Sequence, residues 1–574
     1  MKTFTAPEGK LVTVLVDGVE VSYVPGQEYP DNAEFVVTEP MTEQPASFDK
    51  RGIEPYRAAI MVNESGVDEK NSVKGAIIGG TVTGEGIDGA VINSTSDDFS
   101  AVVSVGGTYS IKNSVLNFNT KSDGKHVCDF SGYGSVMAGF KGAKLTVENA
   151  QINSVGVAKP AVFCDDRSEC LFKDCNVTVR GGTLYDGYVN SANQKTMVAP
   201  PWVLGITGNA RGVNLEGDRG TAYIVDTCFK ANQWGVLSTD AGQNMHLYVA
   251  DSDMILLGEN LSADDNKDPY SKKYGSGYGS YIIGNAYEEF SGVDIKVGTH
   301  GAVLRGGTGV YKSSKGTIKF VSPITGETVY EAPGKGRITR IDCEFGVMAH
   351  GDGKIVYTEG TEVNANNAVF LLKSGGVTCD VEDGAKLHSG NGVILQMMDD
   401  DDNLVGAKMT DAGPMFNTEF NEVPGWPSEN GQITSKMPAP SFDPMAGGPG
   451  GPGGPGGPGG PGGPAKDPEP IGRFEGKKAT RCITAYSKYS VDFILDDDGV
   501  WRIWKMQLFP LFKCSRYVDW TRYPQKMPKS HTNPDGKADG SGMVYIWGKD
   551  VIYPADQPQP PLPYTHFDDI GPCC

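Results

Sequence analysis

A five-residue phrase recurs through the middle of this chain and constrains its fold more than any other feature. In each copy an aromatic residue, His or Asn precedes Gly or Ala, and mostly apolar residues follow. The copies are Trp234–Ser238, Tyr278–Ile282, His300–Leu304, Phe345–Ala349, Asn367–Leu371 and Asn391–Leu395. Successive copies begin 44, 22, 45, 22 and 24 residues apart. A unit near 22 residues, with two doubled steps, predicts a solenoid in which each coil buries its apolar face against its neighbours.

A second phrase alternates with the first and marks corners. An Asn or Asp stands between short apolar runs, and a small residue follows it. Asn and Asp tolerate a left-handed backbone and bond their own main chain, so they suit a corner that repeats in every coil. The 77 glycines also favour short strands and tight turns over helices. The predicted corners are Asn113, Asn149, Asp174, Asp226, Asp251 and Asp342.

Strand, corner and strand, repeated in this way, resemble the right-handed parallel β-helix of the pectin-lyase-like superfamily. The resemblance implies an all-β solenoid and brings no catalytic motif with it. The doubled steps predict two insertions into single coils, a polar one at Gly258–Lys273 and a hairpin at Gly316–Tyr330. Five phrase positions then fall on successive coils about 4.8 Å apart. They are Tyr278, His300, Phe345, Asn367 and Asn391.

The chain divides into four predicted segments. Residues 1–48 form a small β cap, with a hairpin turn at Asp17–Gly18, which covers the first open end of the solenoid. Residues 49–410 form the parallel β-helix. Residues 411–467 form a linker whose Gly-Gly-Pro repeat, between Gly447 and Pro464, is typical of a flexible tether. Residues 468–574 form a separate C-terminal unit with a Pro-rich tail.

The C-terminal unit contains two strands with a heavy aromatic face, from Tyr489 to Leu495 and from Val500 to Phe509. With Phe512 and Trp520, they resemble the last strands of SnoaL-like proteins, which share the nuclear-transport-factor-two-like cone fold. The resemblance implies a cyclase, dehydratase or lyase for polyketide, steroid or aromatic substrates. The helices that begin such a cone have no counterpart here, so no catalytic residue is carried over. A half cone needs cover, from the β-helix, a second copy in a homo-oligomer or a partner chain that completes the domain.

Charge and composition narrow the possible partners. The net charge of −20 argues against nucleic acid and anionic membrane surfaces, because both repel such a field. The chain has no run of eighteen apolar residues and no apolar signal-peptide segment after Met1, which predicts a cytoplasmic protein without a membrane span. The eleven scattered cysteines predict buried, reduced packing residues, and their spacing fits no strong metal pattern.

Alternation along the phrase predicts which side chains leave the solenoid. Its third and fifth residues suit the interior, so the fourth and the one after the fifth point outward. The fourth column contains Phe163, Leu204, Leu237, Tyr281, Val303, Met348, Phe370 and Ile394, and the sixth contains Asp165, Ile206, Thr239, Ile283, Arg305, His350, Leu372 and Gln396. A soluble solenoid does not require an outward apolar stripe. The stripe therefore predicts an interface or a site for a hydrophobic ligand.

The stripe also carries the candidate site. His350 beside Arg305 would have a lowered pKa and could act as a base, while Arg305 and Tyr281 could hold a developing oxyanion. The candidate substrate-binding residues are Tyr278, Asp240, Asp165, Trp234 and Lys373. Asp165 also belongs to a pair of adjacent carboxylates, which glycosidases and calcium-dependent lyases use.

Three hypotheses follow. The first is a lyase or isomerase with dehydratase-like acid/base chemistry on a small hydrophobic, aromatic or polycyclic molecule. The second is a polysaccharide lyase or glycoside hydrolase, the common activity of the superfamily that the solenoid resembles. The third is a non-enzymatic scaffold for binding or assembly, in which the same side chains satisfy the hydrogen bonds of an interface. No cofactor and no metal site are predicted, since the sequence contains no nucleotide-binding or strong metal-binding motif. The second hypothesis alone would call for a basic or calcium-bound centre.

Overall fold

The structure is a computed structural model. It describes residues 1–46, 53–120, 124, 127–182, 211–232, 235–257, 277–350, 353–365, 369–374, 377–381, 384–389 and 393–397, and six further strands at 428–429, 432–433, 479–485, 489–495, 501–507 and 544–547. Nearly all of its regular structure is β, and the one described helix is the single 3₁₀ turn at Lys74–Ala76. No helix within the described residues is long and apolar enough to cross a membrane.

Each coil contributes strands to three parallel ladders, named A, B and C here in the order in which the chain visits them. Ladder A contains Arg57–Asn63, Phe99–Val105, Met137–Phe140, Val162–Cys164, Val213–Asp218, the first halves of Gly235–Ala250, Tyr278–Ser291 and His300–Lys312, then Phe345–His350, Phe370–Ser374 and Val393–Met397. Ladder B contains Gly86–Asp88, Thr108–Lys112, Lys144–Glu148, Glu169–Lys173, Thr221–Val225, the second halves of the same three long strands, Gly353–Tyr357 and Val377–Val381. Ladder C contains Val91–Ser94, Val115–Asn119, Gln151–Val155, Asn176–Arg180, Cys228–Asn232, Asp253–Leu257, Asp294–Lys296, Thr339–Cys343, Thr361–Ala365 and Lys386–Ser389. The predicted all-β solenoid is confirmed.

The N-terminal residues form a small antiparallel sheet. Its strands are Leu11–Val16, Val19–Val21 and Glu34–Thr38, and short strands at Gly66–Val67, Ile77–Ile78 and Thr81–Val82 follow in the first coil. Asp17 and Gly18 both have positive φ (51° and 78°), as the predicted hairpin turn requires. Glu20 pairs with Ser94 of ladder C, which joins this sheet to the first coil.

The corners between ladders B and C explain the second sequence phrase. Asn113, Asn149, Asp174, Asp226 and Asp251 all have φ between 47° and 54°. The small residues after them are buried. Where such a residue has a hydroxyl, it accepts from an amide of the preceding coil, as Thr227 Oγ1 does from the Cys175 amide at 3.2 Å. Asp342 is different, because it lies inside the strand Thr339–Cys343. Its prediction as a corner is wrong, because the hairpin insertion occupies the turn of that coil.

The glycine of the first phrase allows successive coils to stack closely. A Cβ added to Gly301 would lie 2.5 Å from the Gly346 carbonyl oxygen and 2.5 Å from Cγ2 of Ile341. Such distances are well inside van der Waals contact, so this position excludes every side chain. Large apolar and aromatic side chains fill the interior beside it, as where Phe290 and Tyr311 stack with ring centroids 4.8 Å apart. Burial of such side chains stabilises a fold by about 1.5–3 kcal/mol each.

The two insertions leave the solenoid at different corners. Residues between Leu257 and Tyr278 connect ladder C to ladder A, and most of them lie outside the described residues. Strands Thr317–Val321 and Thr328–Pro333 form the predicted hairpin between ladders B and C. Ile318 and Phe320 of this hairpin pack on Tyr223, on the outer face of ladder B.

Lys335 and Arg337, which follow the hairpin, fasten it to earlier coils. We call these residues the Lys335–Arg337 brace. Lys335 pairs with Asp226 at 2.5 Å, and its amide donates to Asp251 at 2.9 Å. Arg337 pairs with Asp253 at 2.6 Å and with Asp294 at 3.3 Å. The brace therefore connects four consecutive coils. It closes one end of an open groove of about 570 Å³ that follows the Asn and Asp corners.

Strands near the C-terminus pair with the last described coils. Tyr489–Leu495 and Trp501–Gln507 form the predicted hairpin, with Leu495 opposite Trp501, and Ala479–Ala485 pairs beside it. Trp501–Gln507 pairs antiparallel with Val377–Val381, and Val544–Trp547 pairs antiparallel with Val393–Met397. A two-stranded pair at Ser428–Glu429 and Gln432–Ile433 lies in the predicted linker.

Most of the cysteines whose side chains the structure describes are buried. Cys128, Cys164, Cys170, Cys175 and Cys343 are buried, and Cys228 is partly buried. Burial raises the pKa of the Cys175 thiol to about 11, so it stays protonated near neutral pH. These residues therefore pack as small apolar side chains, as the sequence predicts.

Candidate functional site

The outward face of ladder A carries a column of polar side chains in its middle coils. Ser238 pairs in register with Tyr281 and with Asn214, and Asn214 pairs with Phe163. Two residues further along the same strands, Asp165, Glu216 and Asp240 occupy consecutive coils. The predicted stripe is thus polar where Asn214 and Ser238 lie, and apolar from Tyr281 onward.

This register corrects part of the predicted columns. Gly235, and not Trp234, lies opposite Tyr278, because the Tyr278 ring occupies the space where a side chain at 235 would be. Leu237 therefore faces the interior, and Ser238 replaces it on the outer face. Thr239 and Phe370 likewise belong to inward columns, because they pair with Ile282 and Val347. The side chain of Leu372 lies outside the described part of the structure.

Arg211 is the centre of a buried charged cluster, named the Arg211 cluster here, on this outer face. Its guanidinium forms ion pairs with Asp129 and Asp240, and it donates to Asn214 Oδ1 and Ser238 Oγ at 3.0 Å each. Its side chain is 1% exposed. Burial opposes its charge, but the two carboxylates outweigh this effect and raise the pKa of the guanidinium. Two buried carboxylates and one buried cation therefore hold one another in place.

Glu216 adds a carboxyl group of a different kind to the Arg211 cluster. Asn214 Nδ2 donates to Glu216 Oε1 at 3.1 Å, whereas Oε2 has no hydrogen-bond partner within the described residues. Burial, followed by the charges of Asp240, Asp129 and Asp165, raises the pKa of Glu216 well above its ordinary value. Arg211 lowers this pKa and does not offset those effects. These effects favour the protonated form of Glu216, beside carboxylates that are paired with a cation.

Tyr278 and Tyr281 border the Arg211 cluster on the next coil. Their rings lie 5.3 Å apart, and Tyr278 and Tyr281 are 5% and 8% exposed. Burial raises the pKa of Tyr278 well above 10, with opposing contributions from Arg211 and Asp240. The Tyr278 ring lies over Gly235, so the gap left by this glycine brings a phenol into the electrostatic field of Arg211.

The segment Val127–Val136 brings Asp129 to the Arg211 cluster from outside the ladder. Buried Lys159 donates to the Gly134 carbonyl at 2.8 Å and to the Asp97 carbonyl at 2.7 Å. Tyr56 donates to the Ser131 carbonyl at 2.6 Å, and the Asp129 carbonyl accepts from Asn214 at 3.1 Å. Burial lowers the pKa of Lys159 to about 8. These bonds fix the segment over the outer face of ladder A.

The structure brings together four of the predicted site residues, namely Asp165, Asp240, Tyr278 and Tyr281. Arg305 pairs with Ile283, and His350 pairs with Ser374, so both backbones lie further along the same column. The side chains of Arg305, His350 and Lys373 lie outside the described part of the structure, and Trp234 lies outside it entirely. The hypothesis that His350 acts as a base beside Arg305 therefore stays a prediction.

Sequence reasoning missed Arg211, Asn214, Glu216 and Asp129. A signal for three of them was present, because Arg211-Gly-Val-Asn-Leu215 is a further copy of the first phrase. The prediction placed the coil of Leu204 and Ile206 there instead, and those two residues lie outside the described residues. Asp129 had no such signal, since it reaches the cluster from a connecting segment.

The chemistry of the Arg211 cluster suits proton transfer. It contains a carboxyl group whose surroundings favour its protonated form, two carboxylates paired with a guanidinium, an amide, a hydroxyl and a phenol. Within the described residues no group of three or more His, Cys, Asp and Glu side chains is arranged to hold a metal ion. Arg211 supplies the positive charge among these carboxylates.

A scan against protein-family models, a search of curated proteins and a search of solved structures each found no match. The assignment of function therefore depends on the geometry of the cluster.

Proposed function

We propose that this protein is a carbohydrate-active enzyme that cleaves a glycosidic bond, with Glu216 as the general acid. The observation that carries the proposal is the Arg211 cluster, in which the surroundings of Glu216 favour its protonated form and its Oε2 has no hydrogen-bond partner within the described residues. Ionised Asp and protonated Glu side by side are the pair that glycoside hydrolysis needs. The amide and hydroxyl groups around them suit a polyhydroxylated substrate better than a hydrophobic one.

Glu216 and Asp240 lie on neighbouring strands of ladder A, beside a register shift between Leu215 and Gly217. Among the charges around Glu216, that of Asp240 raises its pKa most, so the two carboxyl groups are close. This supports a retaining enzyme, in which the two carboxyl groups lie about 5–5.5 Å apart. Asp240 would attack the anomeric carbon while the glycosidic C–O bond breaks and Glu216 protonates the leaving oxygen. Water would then attack the glycosyl ester, giving its proton to the Glu216 carboxylate, and Asp240 would be released.

The test compares two variants of the full chain on a panel of polysaccharides and aryl glycosides. Glu216→Gln removes the acid and should lower release of reducing ends by roughly 10²–10⁴-fold. Asp218→Asn is the matched control, because Asp218 follows two residues later on the same strand and its side chain is 38% exposed. It should leave activity unchanged. Full activity of Glu216→Gln on a substrate that the wild type cleaves would contradict the assignment.

A second candidate function is a non-enzymatic scaffold, and the burial of the Arg211 cluster favours it. Asp165 and Glu216 are 0% exposed and Asp240 is 4% exposed. A substrate would reach them only if part of their cover moved. In a scaffold the same groups would satisfy one another permanently. Absence of turnover on every glycan tested, with an unchanged fold in Glu216→Gln, would favour the scaffold.

A further inference from the structure

Glu288 lies inside the solenoid, directly behind the strands that carry the Arg211 cluster. It belongs to the ladder B half of Tyr278–Ser291 and is fully buried. Asp240 and Tyr281 point outward from ladder A, so the alternating residues Thr239 and Ser280 point inward, towards Glu288. One carboxyl thus contacts the inner side of both strands whose outer sides form the candidate site.

The hydrogen bonds around Glu288 compete for one proton. Thr239 Oγ1 lies 2.9 Å from Glu288 Oε1 and 3.1 Å from the Tyr281 carbonyl oxygen. Ser280 Oγ donates to Glu288 Oε2. A threonine hydroxyl has a single proton, so it donates to the carboxyl or to the carbonyl and not to both.

The two protonation states of Glu288 therefore give different bonding patterns. When Glu288 is protonated, its own O–H donates to Thr239 Oγ1, and Thr239 donates to the Tyr281 carbonyl. The Glu288 O–H, the Thr239 hydroxyl and the Tyr281 carbonyl each then have a partner. When Glu288 loses the proton, Oε1 becomes an acceptor only, Thr239 turns to it, and the Tyr281 carbonyl loses that bond.

The surroundings of Glu288 place this change near physiological pH. Leu247 and Gly309 flank it in register on the adjacent coils. Burial raises its pKa to about 8, although hydrogen bonds from Ser280 and Thr239 act in the opposite direction. Tyr311 is the titratable group on the next coil, and its own pKa is raised by burial, then by Glu288 and Cys343. No described cation offsets the burial of Glu288.

We propose that Glu288 is a positioning residue for the Arg211 cluster, acting through Thr239 as a proton-dependent switch on the strands of Asp240 and Tyr281. The identity of the site that it acts on rests on the function proposed above. The bonding change itself does not, since it takes place in the free protein.

Hydrogen–deuterium exchange tests the switch without a substrate. Amide exchange is measured across residues 236–241 and 279–284 of the full chain between pH 6 and pH 9, corrected for the intrinsic pH dependence. We expect exchange in the wild type to rise by roughly five- to tenfold across this range, the equivalent of one lost hydrogen bond. Glu288→Gln should remove the rise, because its amide does not titrate.

Two further variants keep the test decisive. Glu289→Gln is the matched control, because Glu289 is the adjacent residue, points outward and pairs with Lys312 at 2.8 Å. It should keep the rise. Thr239→Val retains the shape of the side chain but not the hydroxyl, and it should lose the rise while Glu288 still titrates. The same rise in Glu288→Gln as in the wild type, or no rise in the wild type, would overturn the switch. Neither result bears on Glu216, whose role is tested by turnover.

Discussion

Removal of Arg211 should destabilise the protein severely, and the structure gives the size of the effect. The side chains of Arg211, Asp129 and Asp240 are 1%, 2% and 6% exposed. Breaking a buried ion pair costs about 3–5 kcal/mol, because the remaining charge is left without a partner. Arg211→Met leaves two buried carboxylates without a cation, so we expect it to lower the free energy of unfolding by about 5 kcal/mol, at the upper end of that range. Native domains are stable by only about 5–15 kcal/mol in total.

Removing the two carboxylates as well shows whether Arg211→Met loses stability through unpaired charge or through lost packing. In Arg211→Met combined with Asp129→Asn and Asp240→Asn no buried charge is left unpaired, so most of the lost stability should return. Arg340→Met is the control, since Arg340 pairs with Glu362 at 3.4 Å and its side chain is 44% exposed. It should change stability by less than about 1 kcal/mol.

Urea unfolding followed by far-ultraviolet circular dichroism measures all of these variants. Wild-type stability of Arg211→Met would contradict a role for unpaired charge. So would a triple variant no more stable than Arg211→Met alone, because the lost stability would then come from packing.

Three further predictions concern the solenoid. The pKa of Glu288 is about 8 in the folded protein, against an ordinary value of 4.5. Protonated Glu288 therefore stabilises the fold fully below pH 4.5, and up to ~5 kcal/mol of this stabilisation is lost as pH rises to 8. Glu288→Gln should abolish the loss in thermal melts at pH 5 and pH 9. Gly301→Ala should lower the free energy of unfolding by at least ~1–3 kcal/mol through overpacking. Gly84→Ala is the control and should be neutral or slightly stabilising, because nothing lies within 4 Å of the added Cβ. Equal melting temperatures of the two variants would contradict this prediction. Lys335→Ala breaks an ion pair whose lysine is 57% exposed, so it should cost at most ~1 kcal/mol in urea unfolding.

Local chemistry made much of the fold predictable. Asn113 and Asp226 adopt the left-handed backbone that their side chains favour, and Asp17–Gly18 forms the expected turn. The register of Gly235 against Tyr278 could not be read in this way, since it depends on how a ring from one coil fills the space of a glycine in another. A single-residue shift moved Leu237 from the outer face to the interior.

The site was predictable only in part for a similar reason. Alternation placed Asp165 outward correctly, whereas for Asp240 it placed the neighbouring Thr239 outward instead. Arg211 precedes a strand and acquires its role from Asp129, which is 82 residues away in sequence. Periodicity along a strand carries no information about such a contact. The pKa of Glu216 likewise depends on charges from three other coils and segments, which a single strand does not reveal.

The Lys335–Arg337 brace has a consequence for how the solenoid unfolds. In a simple repeat protein each coil interacts only with its immediate neighbours, so structure is lost one coil at a time from the ends. Lys335 and Arg337 instead bond to Asp226, Asp253 and Asp294, which belong to three preceding coils. Interactions beyond the nearest neighbour make these coils thermodynamically interdependent. They should behave as one cooperative block, leaving the terminal coils to fray independently and the Arg211 cluster at the border of the block.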